Sequence, residues 1–264
     1  QGDIQFDSGT LTSITAFRTV DTSWQMQSVG AGLGALGAPF DEVIDDINES
    51  VDTFSQEFRW TSNVEGPLSY TAGVYLFMED TDRKEVFRTT AAGQYDGFRI
   101  TDVGSQSIFG NDYAATANET TSFAVFAQGN YELTDRLTLT AGLRYTQDKK
   151  DYNATSVNCG MVAAGDPSLA GTKFENWAPC GGVGASGLSI IAETFEVNPY
   201  DSWSDVSPKL SIKYAMSDTT MVYASWAKGF KSGGFAGSQG VEAVASDPVD
   251  QETAYNYEVG LKSD

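Results

Sequence analysis

Hydrophobic and polar positions alternate with a period of two along residues 118–152, through two arms that meet near Thr134 and Asp135, which predicts one long β-hairpin. In the first arm Thr121, Phe123, Val125, Ala127, Gly129 and Tyr131 share a face opposite Thr120, Ser122, Ala124, Phe126, Gln128 and Asn130. In the second, Leu137, Leu139, Ala141, Leu143 and Tyr145 oppose Thr138, Thr140, Gly142, Arg144 and Thr146. Each arm is longer than the roughly five or six residues usual in globular strands. Each has about the 9–11 residues that cross a bilayer at a tilt. A soluble sandwich alternates as well, but with shorter strands whose apolar face meets a second sheet. Arm length therefore points to an outer-membrane barrel.

The same period predicts strands elsewhere. Residues 4–6 read as the tail of a strand and residues 11–20 as the next, whose facing stays open because Ile14 and Phe17 fall on opposite sides. Phe54, Gln56, Phe58 and Trp60 oppose Ser55, Glu57, Arg59 and Thr61, and after a turn at Glu65-Gly66-Pro67 the apolar positions are Tyr70, Ala72, Val74, Leu76 and Met78. Val206, Leu210, Ile212 and Tyr214 oppose Ser207, Lys209, Ser211 and Lys213. The arm at residues 221–230 is ambiguous between Met221/Tyr223 and Val222/Trp226. The last strand sets Tyr255, Tyr257, Val259 and Leu261 against Glu252, Asn256, Glu258 and Lys262.

The connections alternate in length. They are short at Ser8, Gly66, Thr134 and Ser217, and long over residues 21–53, 81–117, 151–202 and 232–251. Outer-membrane barrels have short periplasmic turns and longer extracellular loops, whereas long structureless loops are uncommon in compact soluble domains. Trp60, Tyr70, Tyr131, Tyr145, Trp203, Tyr214, Trp226 and Phe230 collect near strand ends, as interfacial girdles or as cross-strand packing.

Composition narrows the function classes. The 264 residues suffice for one large β domain or two smaller ones, and a formal net charge of -20 argues against a nucleic-acid partner, which needs clustered Lys and Arg. The chain has no histidine, which removes His-based acid/base catalysis, Ser-His-Asp and Cys-His constellations, HExxH zinc sites and His-ligated haem. No apolar run reaches the length of a spanning helix, so a membrane protein of this sequence must be a barrel. Gln1-Gly2-Asp3 carries no signal peptide, and the chain is expected to start inside a mature protein.

Three local motifs invite chemistry. Gly32, Gly34 and Gly37 fit GxGxxG, but Ala38-Pro39-Phe40 follow and no βαβ unit surrounds them, so a flexible loop is expected. Asp41, Glu42, Asp45, Asp46, Glu49 and Asp52 lack the spacing of a dedicated Ca²⁺ loop. With Val43, Ile44 and Ile47 at helix-like spacing they predict a solvated helical turn. Cys159 and Cys180 share one long connection, which suggests a disulfide in an oxidising compartment, worth roughly 3 kcal/mol of unfolded-chain entropy.

Residues 132–152 (ELTDRLTLTAGLRYTQDKKDY), 207–235 (SPKLSIKYAMSDTTMVYASWAKGFKSGGF) and 252–264 (ETAYNYEVGLKSD) resemble the β-barrel of TonB-dependent outer-membrane receptors. LTSITAFR (11–18) and SQEFRW (55–60) are similar to the same family. The resemblance implies an all-β, antiparallel meander of long transmembrane strands, a partial segment of a 22-stranded barrel. The whole of 1–264 is expected to be one barrel segment of about eight complete strands and a partial ninth, without the plug domain, its TonB-contacting segment and the C-terminal strands.

The implied activity is uptake of a scarce nutrient across the outer membrane of a Gram-negative bacterium, energised through the TonB complex by way of the plug. An iron-siderophore complex is the commonest substrate class, with cobalamin and oligosaccharide as alternatives. Haem is disfavoured because His and the FRAP motif of the haem subgroup are absent. Trp24, Phe109, Tyr113, Trp177 and Phe235 are the loop aromatics expected to stack on ligand, and Glu57, Arg59, Arg144, Lys209, Lys213, Asn256 and Glu258 are expected on the inner wall. The expected partners are outer-membrane lipid, the TonB complex and a small-molecule nutrient, with no nucleic acid. No catalytic residue, metal or cofactor is expected. The rival classes are a passive porin, a soluble β-sandwich binding module and an outer-membrane enzyme.

Overall fold

The computed structural model describes residues 1–29, 42–90, 111–162, 189–236 and 242–263. The strands are β1 (Gly2–Phe6), β2 (Gly9–Val29), β3 (Glu42–Ser62), β4 (Leu68–Thr90), β5 (Asn111–Thr134), β6 (Leu137–Val162), β7 (Ser189–Val197), β8 (Tyr200–Ala215), β9 (Thr220–Lys231), β10 (Gly234–Phe235), β11 (Pro248–Val249) and β12 (Glu252–Ser263). Among the described residues one short helix, α1 (Glu242–Ser246), precedes β11. A ten-stranded antiparallel sheet runs β1-β2-β3-β4-β5-β6-β8-β9-β12, and β7 pairs with the far end of β6. β1 and β12 end the path without meeting, so the sheet is open.

Register assigns every strand a face. Ser13, Phe58, Val74, Val125, Tyr145 and Val206 form one continuous row, and Tyr131, Leu139, Ile212, Ala224 and Val259 another. Among the described residues this apolar face stays exposed: Phe17 is 73% exposed, Leu143 53% and Val259 85%. The opposite, polar face is the more enclosed, with Ala124 fully buried, as on the concave side of a curved sheet. A sheet that shows water its enclosed side and leaves its apolar side bare is built for lipid.

Two facings left open by the sequence are settled by neighbours. Phe17 pairs with Phe54 on the apolar face, which turns Ile14 inward opposite Glu57. Val222, Ala224 and Trp226 pair with Leu261, Val259 and Tyr257, which turns Met221 and Tyr223 inward, where the Tyr223 hydroxyl donates to Glu258 at 2.5 Å.

The strands outrun the expected arms. β2 to β6 are 21 to 26 residues long, so much of residues 21–53, 81–117 and 151–202 is ladder rather than loop. At about 3.3 Å per residue such strands reach far beyond an apolar band about 25 Å tall. Polar cross-strand pairs hold the extension: Thr19 donates to Asp52 at 2.6 Å, Gln25 donates to Asp46 at 2.5 Å, and Arg83 pairs with Glu49 at 3.7 Å. From Glu42 onward the acidic stretch expected to form a helical turn is therefore strand, paired on one side with β2 and on the other with β4, while Asp41 lies outside the described residues. Ladder pairing on both edges outweighs the spacing of its apolar residues.

Gly73 shows how tightly the polar face is fitted. A Cβ there would lie 2.6 Å from Phe126 Cζ and 2.6 Å from the Phe58 carbonyl oxygen, because the Phe126 ring lies across its cross-strand glycine. Gly73→Val is expected to cost about 1–3 kcal/mol in unfolding experiments, whereas Gly229→Ala, whose nearest neighbour is 3.8 Å away, should be close to neutral. Equal stability of the two variants would refute this packing.

Candidate functional site

Register fixes which side chains meet on the polar face. Glu57, Arg59 and Arg144 lie near its middle, while Lys209, Lys213, Asn256 and Glu258 lie on the same face toward the short-turn end. Glu57 and Arg59 pair at 3.4 Å, and the Arg144 guanidinium stands over the rings of Tyr75 at 5.6 Å and Phe126 at 5.8 Å. Among the described residues Asp148 Oδ1 is buried on this face with no hydrogen-bond partner, and Glu57 Oε1, also buried, has only its ion pair with Arg59.

Toward the long-loop end the wall becomes aromatic and cationic. Trp24 points inward, opposite Ile47, with Arg83 over its ring at 5.7 Å and Glu85 bound to Arg83 at 3.0 Å. The segment after β9 folds back onto the wall of β6 and β8. Phe235 stacks on Tyr152 with centroids 5.3 Å apart and lies edge-on to Trp203 at 6.2 Å. Tyr152, Ala154, Val197 and Ala245 form the buried cluster beneath. Lys150 donates to the Gly233 carbonyl at 2.7 Å and stands over the Trp203 ring at 5.8 Å.

These groups stand past the apolar band, which ends on β6 at Tyr145. Burial pushes the Lys150 ammonium below the ordinary lysine range, opposed by Asp148 and Glu79 and aided by Lys231. Burial also pushes the Tyr152 phenol up, opposed by Arg83.

Of the aromatics expected to face ligand, Trp24 and Phe235 are on the wall, the first as part of a strand and the second packed into the Tyr152 and Trp203 cluster. Phe109 and Trp177 lie outside the described residues. Only the backbone of Tyr113 is described, opposite Val157. Cys180 likewise lies outside them, and Cys159 is described only as backbone opposite Ala192. Trp203 is not a girdle residue: it pairs with Asp148 on the polar face and is 8% exposed. Its odd position, shared with Ser207 and Lys209, carries the signal. Lys150 and Tyr152 were visible by the same parity, as the continuation of Thr146 beyond the apolar arm.

Cationic donors, phenol and stacked rings can bind and orient an anionic or aryl ligand without bond-making. Among the described residues no group of three or more His, Cys, Asp or Glu side chains is placed to hold a metal ion. A family model described as TonB dependent receptor-like, beta-barrel, matches residues 1–264. The chain belongs to the TonB-dependent receptor family. That family is one of outer-membrane β-barrel receptors and transporters rather than an enzyme class.

Among individual proteins, the chain is 28% identical over 168 residues to the Rhizobactin receptor of Rhizobium meliloti (strain 1021), a match that covers 62% of this chain and 18% of that protein. The crystal structure of the ferric yersiniabactin uptake receptor FyuA from Yersinia pestis superposes with a TM-score of 0.69 at 15% identity. That match covers 99% of this chain and 32% of FyuA. The second likeness establishes the fold of the wall. The chain thus spans less than a third of either relative's length.

Proposed function

We propose that this chain forms part of the barrel wall of a Gram-negative outer-membrane receptor that takes up an iron-siderophore complex with energy supplied through TonB. The observation that carries the reading is the 28% identity to a relative named for a siderophore, rhizobactin. FyuA, likewise titled as an uptake receptor for a ferric siderophore, supports it through fold alone. The polar wall supports it chemically: Lys150, Arg83, Trp24 and Trp203 face the interior beside the long-loop end, where an anionic chelate would enter.

Deleting the gene should abolish growth on one ferric siderophore as sole iron source, and a plasmid copy should restore it. Uptake of radioactive iron from that complex should fall to the level of a TonB-deficient strain and should vanish with a protonophore. Unchanged uptake of every ferric siderophore in a broad panel refutes the reading.

A further inference from the structure

Phe235 occupies a notch that is built like a ligand site. Its ring is stacked 13° from parallel on Tyr152 and edge-on to Trp203. Two backbone oxygens flank it: Gly233 O accepts from Lys150 Nζ at 2.7 Å, and Ala236 O accepts from the Tyr152 hydroxyl at 3.1 Å. The wall therefore offers two aromatic faces, an ammonium and a phenol, and residues 233–236 answer with one aromatic ring and two oxygen acceptors.

Two of the segment's carbonyl oxygens thus take their donors from side chains of the wall. Glycine at the approach has a specific cause. A Cβ on Gly233 would lie 2.0 Å from Val249 O and 2.6 Å from Trp203 Nε1, and one on Gly234 would lie 3.3 Å from Lys150 Nζ. Only bare backbone lets the segment descend onto the wall there, and with β10 paired to β11 and Ala245 packed in the buried cluster the descent is fixed at its far side too.

We propose that residues 233–236 are an intramolecular competitor, holding the notch by presenting the groups of an oxygen-bearing aryl ligand, which must displace Phe235 to reach Trp203, Tyr152 and Lys150. The identity of that ligand as a ferric chelate rests on the uptake reading above. The competition itself requires only an aryl group with oxygen acceptors. A site that is closed most of the time binds with an affinity reduced by its open fraction, so loosening the segment must tighten binding.

The test measures binding of free 2,3-dihydroxybenzoate and of its ferric complex to the intact protein by titration calorimetry. Phe235→Ala removes the competing ring and is expected to tighten the free acid about three- to tenfold, the range a lost ring stack provides. Gly233→Ala removes no wall side chain and unseats the segment through the clash of its Cβ with Val249 O and the Trp203 ring. It is expected to act in the same direction and serves where the first variant fails to assemble.

Tighter binding of both probes supports the proposal. Tighter binding of the free acid, with the ferric complex bound by no form, supports the competitor and counts against the uptake of iron. Equal binding of the ferric complex by wild type and both variants overturns the competitor while leaving the uptake reading in place. Failure of every form to bind either aryl probe also overturns it.

Discussion

Leu143→Arg is expected to destabilise the folded wall by about 2–4 kcal/mol, the cost of a guanidinium near the bilayer midplane on a lipid-facing strand. Leu143 is 53% exposed, its register partners are Ala127 and Pro208, and it lies between the Tyr131 row and the Tyr145 row that bound the apolar band on β5 and β6. None of its neighbours offers a counter-charge. Gln128→Arg provides the contrast, since Gln128 pairs with Thr71 and Gly142 on the polar face. There an arginine meets water, and the change should stay within about 0.5 kcal/mol, as for ordinary surface substitutions. Urea titration of the intact protein in lipid vesicles, read by tryptophan fluorescence, checks both. Equal costs at the two positions would mean that the apolar face does not meet lipid.

That contrast depends on facing, and facing was the part of the fold most legible in the sequence. On β5 and β6 strict alternation gave both faces correctly, because burial on one side selects every second residue. On β2 and β9 alternation was mixed, and only pairing with β3 and β12 decided between Ile14 and Phe17 and between Tyr223 and Trp226. Strand length was not legible at the far ends. Beyond the band no apolar selection operates, and the ladder is carried by backbone bonds with pairs such as Thr19 to Asp52, which read as loop composition.

The acidic stretch of β3 misled for that reason. In isolation its spacing is helical, and its strand state comes from two neighbours distant in sequence. β7 was missed because it adds to an extension of β6 that was itself unseen. The candidate site was half legible. The inner-wall parity was read only as far as Thr146, and its continuation along β6 and β8 is what carries Lys150, Tyr152 and Trp203 inward, while the return of Phe235 onto them is a tertiary contact more than 80 residues away from Lys150 and Tyr152, in keeping with the separations of the bonds that hold it.

The seam between β8 and β9 supplies the other large expected effect. Their ladder runs from Ala215↔Met221 to Lys209↔Ala227 and stops at Pro208, which has no N–H to donate. Just beyond, Lys228 pairs in register with Tyr255 on the lipid-facing side, yet its ammonium bonds the carboxylate of Asp205, which pairs with Thr146 on the polar side. The same ammonium donates to Val206 O at 3.3 Å, and Ser207 donates to the other Asp205 oxygen at 3.0 Å. Lys228 thus crosses the open seam, drawing its charge away from the hydrocarbon and tying together two strands where the ladder does not.

Removing the carboxylate leaves an ammonium in a seam that is mostly shielded, with 21% of the lysine side chain and 6% of the aspartate side chain exposed. Asp205→Ala should therefore cost about 3 kcal/mol, the lower part of the range for breaking a buried pair by deleting one partner. Lys228→Met should cost less, because its apolar chain suits the lipid side and Ser207 still donates to Asp205. Combined, the two changes should recover much of the loss, giving a coupling energy above about 1.5 kcal/mol in a double-mutant cycle. Additive losses would show that the two charges act independently and that the seam is held by other contacts. Recovery in the double variant would instead identify the pair as the stitch that replaces the missing ladder, with its stability set by the fate of one ammonium between lipid and lumen.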